Sequence, residues 1–282
     1  METFMKSLII FFILSTPFNA TAQGEFVVEV SGSGEPVLLF PGFTSTGEVW
    51  GDVVNQLAQH YEVHSFTFAG FGGVAPIETP WFPKIKTAMQ TYLKKHDLKN
   101  PVVIGHSMGG TLGLWLAAED PGLYKKIIVV DALPAMGALM IPDYKSENIV
   151  YENPYNNQIL QMSDSSFAAM ASQMASAMTM NKDKQELLKK WMIETDRKTY
   201  VYGYTDLLKL DLRNDLAKIT SPVVILGATQ PYGKEAAEKN YREQYKNLAN
   251  YSLDFSENSG HFIMFDQPEW FLSKLKSALS FE

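Results

Sequence analysis

Pro101-Val102-Val103-Ile104-Gly105-His106-Ser107-Met108-Gly109-Gly110-Thr111-Leu112 carries a short β-branched run into a serine set between glycines and then into an apolar stretch. Val102 to Ile104 reads as a strand, and Thr111 to Ala118 as a helix. Between them lies G-x-S-x-G, Gly105 to Gly109. A serine on such a strand-to-helix turn has its oxygen clear of the backbone, and the N–H of the next residue points where negative charge would develop during nucleophilic attack. Small neighbours are needed for that clearance, and Gly105 and Gly109 supply them. A serine that merely capped a helix would need neither glycine.

Outward from this turn, short apolar runs alternate with amphipathic stretches, as a mainly parallel sheet with covering helices requires. Val27 to Val30, Pro36 to Phe40, Val63 to Phe68, Ile127 to Val130 and Val223 to Leu226 read as further strands. Trp50 to Gln59, Lys84 to Lys95 and Pro268 to Leu279 read as helices. The alternation stops between Leu133 and Asp206, too long a gap for a plain connection, which predicts a helical insertion over 133–206. Phe167, Met170, Met174 and Met178 recur there at helical spacing. That stripe is either core or the flexible lining of an apolar pocket, a use that suits unbranched methionine.

These features together resemble the α/β-hydrolase superfamily, over Phe26 to Leu279. Besides the serine turn, Leu38-Leu39-Phe40-Pro41-Gly42-Phe43 is similar to the family's oxyanion loop, with Pro41 where histidine is common. Ala69-Gly70-Phe71-Gly72 resembles its P-G-x-G turn, and Ser259-Gly260-His261-Phe262 its histidine segment. The resemblance implies an α/β-hydrolase fold formed by 23–132 and 207–282, a mainly parallel sheet flanked by helices. Residues 133–206 are then a helical cap inserted before the penultimate strand.

It also implies a triad in the chain order serine, acid, histidine. Ser107 is the expected nucleophile, and His261, the sole histidine after it, the expected base. Phe43 and Met108 would offer the two oxyanion N–H groups. The acid is less direct. The strand after the insertion continues Gly227-Ala228-Thr229-Gln230-Pro231-Tyr232, without a carboxylate until Glu235, whereas Ile127 to Val130 runs straight into Asp131. Asp131 is the expected acid and Glu235 the alternative.

Composition narrows the function further. A formal charge of -7 and arginines only at 197, 213 and 242 leave no basic surface to track phosphates, so nucleic acid is not an expected partner. Cysteine is absent, and no H-E-x-x-H or paired-histidine helix occurs, so no metal site and no cofactor is expected. Gly70 to Gly73 does not complete a dinucleotide fingerprint. At the amino end Lys6 precedes the apolar run Leu8 to Leu14, which ends near Ala20-Thr21-Ala22. This predicts a signal peptide over 1–22 and a periplasmic or secreted protein beginning at Gln23, since the run falls well short of the roughly 20 apolar residues of a membrane span. The expected activity is serine hydrolysis of a small to medium, partly apolar carboxylic ester through an acyl-enzyme. Cleavage of a lactone, amide or C–C acyl bond, or a catalytically silent ligand binder, are the alternatives.

Overall fold

The computed structural model describes residues 19–281. Most of the predicted leader therefore lies outside the described residues. Its last positions fall in strand β1 (Asn19–Gln23), which pairs antiparallel with β2 (Phe26–Gly32). The remaining strands are β3 (Glu35–Phe40), β4 (Tyr61–Phe68), β5 (Val102–His106), β6 (Lys126–Val130), β7 (Val223–Ala228) and β8 (Tyr251–Ser256). Together they make one eight-stranded sheet in the order β1-β2-β4-β3-β5-β6-β7-β8. From β4 to β8 every pairing is parallel.

The central strands are buried on both faces, which is why they read as continuous apolar runs. Helices α1 (Gly51–Leu57), α2 (Trp81–Lys95) and α3 (Met108–Glu119) follow β3, β4 and β5 in turn. Helix α2 begins three residues ahead of its expected start, because Pro83 sits in the first turn, where its missing N–H costs nothing. The Asp206 carboxylate accepts the Phe82 N–H there at 3.0 Å. Helix α3 is apolar on nearly all sides and lies fully inside the molecule, with only Trp115 and Glu119 reaching beyond the core.

Between β6 and β7 the chain forms α4 (Met136–Met140), α5 (Pro154–Gln161), α6 (Asp164–Met178), α7 (Lys182–Glu194) and α8 (Tyr204–Lys209). Asn153, Ser163 and Asn181 cap α5, α6 and α7 by accepting a backbone N–H from the first turn. The apolar stripe on α6 divides along its length. Phe167 and Met170 pack with Ile159, Tyr200 and Val201 in a small core, whereas Met174 and Met178 line a cavity. After β7 come α9 (Lys234–Gln244), α10 (Ile263–Asp266) and α11 (Pro268–Leu279), the last with the bounds its periodicity predicts. Among the described residues no helix is long and apolar enough to cross a membrane.

Candidate active site

Parallel strands place their ligand-facing loops at their carboxyl ends, and Ser107 and Asp131 lie there on neighbouring strands. Ser107 ends β5 with φ 53° and ψ -124°, a region that a side chain rarely adopts. Its backbone is fixed on both sides. The Ser107 N–H donates to the Val130 carbonyl at 2.9 Å, and the Ser107 carbonyl accepts from Gly110 N–H at 2.8 Å. Gly109 is forced by the same turn, since a Cβ there would stand 2.2 Å from the Phe40 carbonyl oxygen.

Asp131 also takes a positive φ, of 43°, at the end of β6. Its carboxylate is surrounded by donors. One oxygen accepts from Ala228 N–H at 2.8 Å and from the Tyr241 hydroxyl at 2.7 Å, and the other lies 2.6 Å from His261 Nδ1. Burial raises the affinity of this carboxyl for a proton, but His261, Ala228 and Tyr241 together outweigh burial and hold its pKa below the usual value. Glu235 is exposed in the first turn of α9 and makes no contact of this kind. The pairing with His261 belongs to Asp131.

His261 sits in the loop between β8 and α10, and three neighbours hold that loop. His106 Nε2 lies 2.9 Å from the His261 carbonyl oxygen, to which it must donate, and the two rings are 4.6 Å apart. Burial first, and the His261 ring second, push His106 down to about 3, so it is neutral at physiological pH. Phe262 N–H donates to the Met178 carbonyl at 3.2 Å. Asp266 completes the anchorage. One of its oxygens accepts Gly260 N–H at 2.8 Å, and the other accepts the Thr179 hydroxyl at 2.5 Å and Met180 N–H at 2.9 Å. The turn between α6 and α7 is thereby tied to the histidine loop.

Ser107 and His261 face one cavity of about 90 Å³, shared with Phe43, Met136, Met174, Met178, Met192, Tyr200 and Tyr204. Among the described residues no hydrogen bond joins the Ser107 hydroxyl to the imidazole, a contact that often tightens only around bound substrate. The oxyanion loop passes close by. A Cβ on Gly42 would lie 2.7 Å from His106 Nδ1 and 3.3 Å from Ser107 Cβ, so only glycine lets the loop approach the serine this closely. The Phe43 and Met108 N–H groups donate to no protein acceptor among the described residues, and Met108 opens α3, where the helix end favours negative charge.

The expected residues thus come together, with Asp131 rather than Glu235 on the histidine. Sequence reasoning missed Tyr241 and Asp266. Tyr241 lies 110 residues from Asp131, on a helix too polar to show an apolar stripe, and nothing local signals the contact. Asp266 stood in view five residues after His261, but its partners come from a different segment. No cluster of His, Asp or Glu able to hold a metal ion occurs among the described residues.

Comparison with known proteins places this arrangement in context. A family model described as "Alpha/beta hydrolase family" matches residues 37–274. The pimeloyl-[acyl-carrier protein] methyl ester esterase of Vibrio cholerae is 24% identical over 257 residues, covering 88% of this chain and 95% of the relative. The N-formylmaleamate deformylase of Pseudomonas putida is 20% identical over 260 residues, covering 90% and 93%. Among solved structures, the enol-lactonase from Burkholderia xenovorans superposes with a TM-score of 0.78 at 15% identity, over 93% of this chain and 100% of that one. An esterase from Exiguobacterium antarcticum gives 0.75 at 18% identity, over 90% and 95%.

Proposed function

Because the chain belongs to the alpha/beta hydrolase family, we propose that it is a serine hydrolase that cleaves a small to medium, partly apolar carboxylic ester through an acyl-enzyme. The observation that supports this reading most is that His261, paired with Asp131, faces the same cavity as Ser107. In the proposed cycle Ser107 Oγ bonds to the carbonyl carbon while its proton passes to His261 Nε2. The carbonyl electron pair moves to oxygen, where the Phe43 and Met108 N–H groups meet it. Collapse breaks the bond to the leaving alkoxide, which takes the proton from His261 and departs as the alcohol. Water then repeats the sequence on the acyl-enzyme, releasing the acid and restoring Ser107.

Residues 133–206 act in this reading as a cap, which is supported by Met136, Met174, Met178, Met192, Tyr200 and Tyr204 from that stretch lining the cavity that Ser107 faces. The esterase and deformylase relatives fit hydrolysis of an acyl bond without naming its type. Export through the leader is part of the proposal, and amino-terminal sequencing of protein recovered outside the cytoplasm should begin at Gln23. A chain that retains its first 22 residues there would refute the cleavage.

The activity test is direct. A fluorophosphonate probe should label wild-type protein at Ser107, and Ser107→Ala should lose both labelling and turnover of p-nitrophenyl esters. Folded wild-type protein that neither labels nor turns over would favour a silent ligand binder. Turnover of lactones or aryl amides well above that of esters would move the reading to another acyl bond.

A further inference from the structure

The cavity beside Ser107 has an uneven lining. Among the described residues around it none is Lys, Arg, Asp or Glu, so a charged group on the acyl side of a substrate would meet no counter-charge. Its volume of about 90 Å³ is smaller than the cavity of about 150 Å³ that admits benzene, which favours a short acyl part.

Two phenols in this wall have only a methionine sulfur for an acceptor, Tyr204 on Met140 at 3.2 Å and Tyr200 on Met174, and of the two Tyr200 is the buried one. Tyr200 is 8% exposed, and its hydroxyl has only the Met174 sulfur for a partner, at 3.4 Å. A thioether is a weak acceptor, so the phenol retains most of its capacity to donate. Its ring is fixed by Phe167 at 5.1 Å and by Phe43 at 5.8 Å, the latter on the oxyanion loop itself. Burial, with Tyr155 and Tyr204 close by, raises the Tyr200 pKa, which keeps the proton on the oxygen at any working pH. Both Tyr200 and Met174 line the same cavity as Ser107.

We propose that Tyr200 is a specificity-determining residue, and that the pocket takes a short, uncharged acyl group carrying an acceptor oxygen that receives the Tyr200 hydrogen bond in place of the Met174 sulfur. This rests on the serine-hydrolase reading above and names the substrate class within it. A hydrocarbon acyl group of equal size fills the same space but leaves the phenol on its weak partner. An ether, ketone or second ester oxygen in the chain satisfies it.

Two nearly isosteric esters test the idea: p-nitrophenyl butyrate and p-nitrophenyl methoxyacetate, which differ by a methylene replaced with oxygen. Their kcat/KM ratio is divided by the ratio of their hydroxide-catalysed rates, to remove intrinsic reactivity. Wild type should favour the methoxyacetate after that correction, and Tyr200→Phe should lower the preference about three- to tenfold, as loss of one neutral hydrogen bond does. A corrected preference that is absent in wild type, or unchanged in Tyr200→Phe, overturns the proposal while labelling of Ser107 keeps the hydrolase reading intact. Absence of labelling and of turnover with both esters would instead remove the hydrolase reading and this one with it.

Discussion

Asp131 Oδ2 and His261 Nδ1 lie 2.6 Å apart although 130 residues separate them in sequence. That contact fixes one nitrogen of the ring and leaves the other for a reacting proton. The first expectation follows from it. Asp131→Asn should lower kcat by up to about 10⁴-fold with folding intact, as removal of the equivalent acid does in a serine protease. Glu235→Gln, exposed on α9, should stay within about threefold of wild type. Steady-state kinetics on both variants, with circular dichroism to confirm folding, checks the pair.

Tyr241 supports the same carboxylate from its other oxygen. Tyr241→Phe keeps the ring and removes one hydrogen bond to a charged acceptor, worth about 1.5–3 kcal/mol. Its effect should appear as a lower melting temperature and a several-fold lower kcat, with little change in KM. Chemical denaturation beside kinetics would show whether both fall together.

Acid should destabilise the fold earlier than carboxylate titration alone would. His106 is pushed down to about 3 by burial, whereas a histidine in an unfolded chain titrates near 6.5. Between those values the unfolded state binds the extra proton, so stability is undiminished above about pH 6.5 and falls as pH drops toward 3, by about 1.4 kcal/mol per pH unit for this group. His64 adds in the same direction, because burial lowers its pKa more than Glu62 raises it. Asp131 has the opposite history and the same outcome: its lowered pKa contributes stability at neutral pH that is lost as pH falls through its folded value. Urea unfolding between pH 7 and pH 4 should give a stability that declines with acid, and His106→Asn should flatten the decline by about one proton.

Ser107 holds a backbone conformation that costs of order 1–3 kcal/mol. Ser107→Gly should therefore be inactive and yet no less stable than wild type, with a melting temperature higher by a few degrees once the entropy cost of glycine, about 0.5–1 kcal/mol, is set against the relief. A clear fall in melting temperature would mean that the turn is not strained. Ser107→Ala keeps the strain and should not show the gain.

The parts of the molecule that could be read beforehand are those in which burial writes itself into local pattern. Strands β3, β5, β6 and β7 are apolar runs because both faces of the sheet are covered, and Asp131 was visible because β6 runs into it. Helix α9 and strand β8 escaped notice for the converse reason. Lys234–Gln244 buries only Tyr241 and Gln244 and shows no apolar stripe, whereas Tyr251, Leu253 and Phe255 of the edge strand alternate with Ser252, Asp254 and Ser256, a period-two face too short and too half-exposed to stand out. The polar contacts of the site are less legible still. Tyr241 on Asp131, His106 on the His261 carbonyl and Asp266 on the α6–α7 turn are meetings of distant segments, decided by the fold and not by spacing.

The Asp266 anchorage sets which motions are compatible with turnover. Its carboxylate accepts from the Thr179 hydroxyl, the Met180 and Asn181 N–H groups and Gly260 N–H at once, while Phe262 N–H donates to the Met178 carbonyl. While these bonds hold, a helical segment that swung away at this turn would pull on Gly260, the neighbour of His261, so movement here is coupled to the Asp131–His261 pair. The α6–α7 turn is accordingly a pivot and not a doorway. On the proposed hydrolase reading, substrate enters where the rim yields without moving His261, and substitution along the rest of that rim should alter the rate of entry while the Asp131–His261 pair keeps its geometry.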